Sequence, residues 1–139
     1  AAGRAFSASA SAETAARVFA PKLAGTLVLD ELFRDKKLDF LVLFSSSSAV
    51  LGNAGFVDYC AANTFLDAYA HYNNAKSNTF TVAINWDEWD EVGMAAGSKV
   101  RDRVKDKITV NEGLKLLDNI ISARAFALWV AVELRKTTS

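Results

Sequence analysis

An α/β fold built on a small parallel sheet is what this 139-residue sequence predicts. Three observations lead there. The apolar run Leu41-Val42-Leu43-Phe44 does not alternate with polar residues, as expected of a strand covered on both faces. Stretches of helical spacing flank that run. The elements then follow in the order helix, strand, helix, strand, helix, strand, giving about three strands with flanking helices.

Each element has its own signal. The first dozen residues are rich in Ala and Ser without a period and read as a loop or frayed terminus. From Glu13 onward, Ala16, Val18, Phe19, Leu23, Leu27, Leu29 and Leu32 recur at helical spacings. Pro21 lies inside that stretch and begins or kinks a helix, since it has no amide hydrogen to donate. Residues 38–45 form the first strand, expected to be buried on both faces. Gly52, Asn53 and Gly55 mark a loop, and residues 56–75 a second helix. Residues 79–85 form the next strand, with Phe80, Val82 and Ile84 buried. Residues 86–94 read as an ordered loop or short helix, and residues 99–107 as a charged, solvated stretch. A helix over 110–122 carries Leu114, Leu117 and Ile121 on one stripe, and a closing strand runs over 125–134. One edge of so small a sheet requires a cover.

Composition narrows the function. Apolar residues make up 51% of the chain, enough for a core. Sixteen basic and sixteen acidic side chains cancel without a block of either sign, so nucleic acid and acidic membrane surfaces have no electrostatic attraction to it. No apolar run approaches the roughly 20 residues of a membrane span, and no signal peptide is visible. The single Cys60 has no partner for an internal disulfide, which makes a reducing cytoplasm the default location. One cysteine and one histidine, His71, argue against a structural zinc site.

Four residues carry the chemistry: Lys22, Ser46, Tyr59 and Asn63. Ser46 closes the first strand, where the active site of a parallel sheet usually begins. Tyr59 follows thirteen residues later and Asn63 one helical turn after it, on the same side of the second helix. A free phenol titrates near pH 10 and is a protonated donor at neutral pH, while a neighbouring ammonium eases release of that proton. A serine hydroxyl stabilises charge developing on a carbonyl oxygen. Together the four groups suit carbonyl reduction, with the hydride supplied from elsewhere. Taken singly, each has a plainer reading: a packed tyrosine ring, a turn-forming member of the run Ser45 to Ser48, a solvated lysine, a surface amide. Trp86 and Trp89, beyond the second strand, are either core aromatics or walls of the site. None of the seven glycines forms G-x-G-x-x-G, the turn that brings backbone amides against a dinucleotide pyrophosphate.

The stretches Pro21-Lys22-Leu23-Ala24-Gly25-Thr26, Leu43-Phe44-Ser45-Ser46, and Asp58-Tyr59-Cys60-Ala61-Ala62-Asn63 with Phe65-Leu66-Asp67-Ala68 resemble the ketoreductase domain of modular polyketide synthases. Ile84-Asn85-Trp86, Trp89, Gly93-Met94 and the helix with Glu112-Gly113 extend the likeness. That family belongs to the short-chain dehydrogenase/reductase superfamily. The resemblance implies the C-terminal half of a Rossmann-like doubly wound parallel sheet, so that residues 1–139 form one partial domain whose Gly-rich cofactor-binding half lies upstream. Ala1-Ala2-Gly3 would match the family's turn after its fourth strand.

By the same resemblance, Tyr59 gives the proton to the carbonyl oxygen and Ser46 hydrogen-bonds that oxygen. Lys22 and Asn63 support Tyr59 and the cofactor ribose. Lysine upstream with asparagine four residues after tyrosine is the exchanged arrangement of megasynthases. Lys22, Tyr59, Asn85 and Trp86 would contact NADPH, while Trp89 and Met94 would border substrate and lid. The substrate would be a β-ketoacyl thioester on an acyl carrier protein, with the missing half and other synthase domains as partners. Two features depart from the pattern. The segment between Gly3 and Lys22 is short, and neither configuration signature is present: Leu-Asp-Asp is absent, and the tryptophan position holds Leu51. The rival reading is a non-catalytic structural or docking fragment that keeps the motifs without binding cofactor.

Overall fold

A computed structural model describes residues 12–90, 92 and 107–124. Helix α1 (Ala12–Phe19) leads through a π-helical turn (Ala20–Ala24) into α2 (Gly25–Phe33). Strand β1 (Phe40–Ser46), the short helix α3 (Ser48–Leu51), the long helix α4 (Val57–Lys76), strand β2 (Phe80–Trp86) and helix α5 (Val110–Ala123) follow. The architecture is α/β, as the pattern predicts. Residues 1–11, Met94, residues 99–106 and the anticipated closing strand over 125–134 lie outside the described residues.

The two strands are parallel and in register from Phe40 beside Phe80 to Ser46 beside Trp86. Alternation then sorts their side chains onto two faces. On one face Leu43 and Ala83 meet Leu66, Tyr69 and Ala70 of α4. On the other, Val82, Ile84 and Trp86 pack with Ile108 and with Ile120 of α5. Burying a side chain such as Ile84 contributes about 1.5–3 kcal/mol, and β2, covered on both faces, holds most of the sheet's buried side chains.

Three expectations are corrected. β1 is not buried on both faces: Phe40 is exposed and Phe44 is 53% exposed, because α5 packs over β2 rather than β1. The core stripe of α5 is Gly113, Leu116, Leu117 and Ile120, whereas Leu114 is 56% exposed. The stripe is displaced because Gly113, with no side chain, marks the closest approach to Trp89. Lys107 is not solvated; its side chain is 9% exposed and pairs with Glu88 at 3.9 Å.

Two turns aim the helices. Pro21 denies the ladder a donor, and Gly25 N–H reaches back five residues to the Ala20 carbonyl, which produces the wide π turn. Gly52 (φ 73°) and Gly55 (φ 86°) adopt left-handed backbone that side chains disfavour, and they reverse the chain between α3 and α4.

Candidate active site

Because the strands are in register, their carboxyl ends coincide, and a cleft of about 540 Å³ opens there. Lys22, Phe44, Ser46, Tyr59, Trp86 and Trp89 are among its walls. Three of the four residues singled out in the sequence therefore share one cavity, although they come from a π turn, a strand end and a helix start.

Lys22 projects from the π turn, and its Nζ donates to the Phe44 carbonyl at 2.9 Å. The same nitrogen stands 5.9 Å from the centre of the Tyr59 ring. Burial holds the ammonium below the usual lysine range, and the negative charge of Asp67 works against that shift. Ser46, the last residue of β1, is buried; its Oγ donates to Ser48 Oγ and accepts from Ser48 N–H, both at 3.2 Å. These bonds shape the turn into α3. Tyr59 is half-buried in the first turn of α4, where its N–H donates to Asp58 Oδ1 at 2.9 Å.

Asn63 stands behind the cleft rather than in its wall. It is 0% exposed, its Nδ2 donates to the Tyr59 carbonyl at 2.8 Å, and its own carbonyl accepts from Ser45 Oγ at 3.2 Å. It joins the start of α4 to the end of β1. Asn85 is likewise sealed off, on the α4 face of the sheet. Its Nδ2 is shared among Asp67 Oδ2 at 2.9 Å, the Ser46 carbonyl at 3.1 Å and Ser45 Oγ at 3.3 Å. Its side chain does not line the cleft.

The aromatic wall is built in a stack. Phe44 and Trp86 lie 5.6 Å apart between ring centres, and Trp86 meets Trp89 edge-on at 5.0 Å. Trp89 is held by a parallel bridge to Ile108 and by α5, where a Cβ on Gly113 would fall 2.2 Å from its ring. Two residues behind the cleft, Asp67 as the partner of Asn85 and Gly113 as the seat of Trp89, were not singled out in the sequence. The signal for Asp67 is its position four after Asn63 and eight after Tyr59, hence on the same face of α4.

The architecture is Rossmann-like α/β, with its cleft beyond the carboxyl ends of parallel strands, where that class binds ligands. A family model described as KR domain matches residues 2–91. The "Cluster 41 polyketide synthase" of Aspergillus flavus is 40% identical over 116 residues, covering 84% of this chain and 10% of that protein. Polyketide synthase PksM of Bacillus subtilis is 37% identical over 116 residues, 79% of this chain and 3% of its own length. Among solved structures, a ketoreductase domain from the bacillaene assembly line superposes with TM-score 0.78 at 35% identity, covering 85% of this chain and 31% of that one. The structure of A-type ketoreductases from a modular polyketide synthase gives 0.77 at 33% identity, covering 83% and 25%. The chain belongs to the KR domain family, the ketoreductases of polyketide synthases within the short-chain dehydrogenase/reductase superfamily. It spans about a tenth or less of the curated relatives just described.

Proposed function

We propose that these residues are the catalytic half of a β-ketoacyl reductase, which reduces a β-ketoacyl thioester on an acyl carrier protein to the β-hydroxyacyl thioester with NADPH. The observation that carries the reading is the convergence of Lys22, Ser46 and Tyr59 on one cleft at the strand ends.

Each residue has a task. Ser46, in the wall of the cleft, holds the carbonyl oxygen through its hydroxyl as negative charge develops on it. Tyr59 delivers a proton to that oxygen, the general-acid step. Lys22, fixed to the Phe44 carbonyl and close to the Tyr59 ring, sets the positive field in which the phenol gives up its proton. Asn63 contributes by position, since its bond to the Tyr59 carbonyl fixes the first turns of α4.

The residues present fit the nicotinamide end of the cofactor. Trp86, Trp89 and Lys22 border the same cavity, side chains suited to an aromatic ring and a ribose. NADPH, when bound, supplies the hydride. The pyrophosphate end finds no Gly-rich turn among the seven glycines, so a cofactor-binding half, on the same polypeptide or a second one, completes the domain. Other synthase domains and the carrier protein are the partners, a reading supported by relatives that are polyketide synthases. A cytoplasmic location fits the lone Cys60.

The test joins this chain to a Gly-rich half and follows NADPH absorbance with a carrier-bound β-ketoacyl thioester. Tyr59→Phe is expected to lower turnover roughly 10²–10⁴-fold. Reduction by that variant at the unaltered rate refutes the assignment.

A further inference from the structure

We propose that Ser48 is a positioning residue of this site: its hydroxyl turns to donate to Ser46 Oγ, which frees and strengthens the Ser46 hydrogen for the substrate carbonyl oxygen. Ser48 then adds to the ketoreductase reading, on which its role depends. Both serines are in the wall of the cleft at the strand ends. Ser46 Oγ donates to Ser48 Oγ at 3.2 Å and accepts from Ser48 N–H at 3.2 Å. A serine hydroxyl has one hydrogen and two acceptor sites. The group assigned to hold the substrate therefore has its single hydrogen spent on a neighbour. To donate to a carbonyl oxygen, Ser46 has to withdraw that hydrogen from Ser48.

Half of this contact is an ordinary turn. A serine oxygen that accepts from the N–H two residues on shapes the exit from a strand, and that bond alone serves the purpose. Contact between the two hydroxyls is not needed for it, because the backbone around Ser48 is already held. The Ser48 carbonyl accepts from Gly52 N–H at 3.0 Å, and Ser47 N–H donates to the Trp86 carbonyl at 2.9 Å. What remains free is the rotation of two hydroxyl hydrogens. In one state Ser46 donates to Ser48. In the other Ser48 donates to Ser46, and the Ser46 hydrogen is released for a ligand. A hydroxyl that accepts a hydrogen bond also donates a stronger one, so the second state is the better carbonyl donor. Among the described residues, Ser48 is the hydrogen-bond partner of Ser46 Oγ. The adjacent Ser45 cannot replace it. Alternation along β1 turns Ser45 to the α4 face, where its Oγ donates to the Asn63 carbonyl at 3.2 Å and accepts from Asn85 Nδ2 at 3.3 Å.

The test uses the domain completed with a Gly-rich half. Ser48→Ala keeps the N–H that bonds Ser46 and removes the hydroxyl. The expected result is a kcat lowered about 3- to 10-fold, the effect of one neutral hydrogen bond, with KM changed by less than about twofold. Ser48→Thr, which keeps a hydroxyl, should restore the rate. In a Ser46→Ala background, Ser48→Ala should cost nothing further, since Ser48 acts through the hydroxyl already removed. A readout without turnover is the infrared stretch of the isotope-labelled ketone in a bound β-ketoacyl thioester, measured with oxidised cofactor. It should lie at higher frequency in Ser48→Ala than in the wild type, the carbonyl being less polarised. An unchanged kcat or an unchanged stretch in folded Ser48→Ala, judged by circular dichroism, overturns the proposal. So does a loss that Ser48→Thr does not repair, or a full further loss in the double variant, which would make Ser48 a donor in its own right. Should Ser48→Ala fail to fold, Ser48→Cys, of similar size with a weaker donor, decides: the same loss supports the proposal and wild-type turnover overturns it. A completed wild-type domain that reduces nothing sinks the ketoreductase reading and this role together. An active wild type with an unaffected Ser48→Ala sinks the role of Ser48 alone.

Discussion

The Lys22 ammonium donates to the Phe44 carbonyl at 2.9 Å while standing 5.9 Å from the centre of the Tyr59 ring. A backbone carbonyl two residues before Ser46 thus fixes the ammonium beside the Tyr59 ring. The ammonium, the Ser46 hydroxyl and the phenol border one cleft, and under the proposed reading the three are expected to act as one unit. Lys22→Met in the completed domain should lower kcat by about 10²-fold or more, and Tyr59→Phe by at least as much. Adding the first change to the second should cost little more, because groups acting together are not additive. Single-turnover rates of the two single variants and the double variant check this. Losses that multiply would show that Lys22 works independently of Tyr59.

Ser46 gives a separate prediction. Its hydroxyl contacts Ser48 twice, but the turn that follows also has backbone bonds, Leu51 N–H to the Ser47 carbonyl at 2.9 Å among them. Ser46→Ala should therefore leave the fold standing and remove a donor to the carbonyl oxygen. A loss of roughly 10²–10³ in kcat is expected, with a thermal midpoint shifted by no more than a few degrees. Equal turnover in the variant would transfer the oxyanion role to another group, Ser48 being next along the turn.

How far the sequence discloses this site depends on the kind of feature. The unbroken apolar run Leu41 to Phe44 located β1, and helical spacing located α4, because both signals are local. Lys22, Ser46 and Tyr59 met in one cleft for the same reason: each sits at an element end that the pattern marks. The exposure of Phe44 was not legible, since it depends on α5 choosing β2 over β1, a packing decision between distant segments. Nor was the sealing of Asn85 beneath the sheet. An asparagine at a strand end looks the same whether it faces a ligand or a buried carboxylate, and only the partner, Asp67, separates the two. Leu114 misled for a third reason: two apolar stripes on α5 overlap, and the glycine at 113 rather than the leucines decides which one turns inward.

That glycine yields a stability prediction. An added Cβ at position 113 would meet Trp89 ring carbons at 2.2, 2.6 and 2.8 Å, closer than any van der Waals contact allows. Gly113→Ala gains helix propensity of up to about 1 kcal/mol, yet relief of the clash has to push Trp89 off α5, an overpacking cost of about 1–3 kcal/mol. The clash should win. Thermal unfolding is expected to begin a few degrees lower, and tryptophan fluorescence to shift as the Trp86–Trp89 pair opens. An alanine variant more stable than the parent would mean that Trp89 yields freely, and the aromatic wall would lose its claim to be preformed.

At the opposite end of the sheet, Tyr69 supplies a pH-dependent contact between helices. Its hydroxyl donates to Asp30 Oδ1 at 2.7 Å, joining α4 to α2. Burial, then the bond to Asp30 and that residue's charge, push the phenol above its ordinary range. The sign follows from which state holds the proton. Above about pH 10 the unfolded chain releases the Tyr69 proton while the folded protein retains it, so the unfolded state binds fewer protons and stability falls with rising pH. The contribution is full below that pH and is lost as pH climbs toward the folded-state value. Tyr69→Phe should cost about 1 kcal/mol at neutral pH, toward the lower end for a bond to a charged acceptor, because Asp30 is partly exposed and also faces Arg34 at 3.5 Å. Urea midpoints measured at pH 7, 9 and 11 should fall less steeply for the variant than for the parent. Parallel declines would show that Tyr69 does not hold its proton more tightly in the folded state, and the α2–α4 link would then be packing alone.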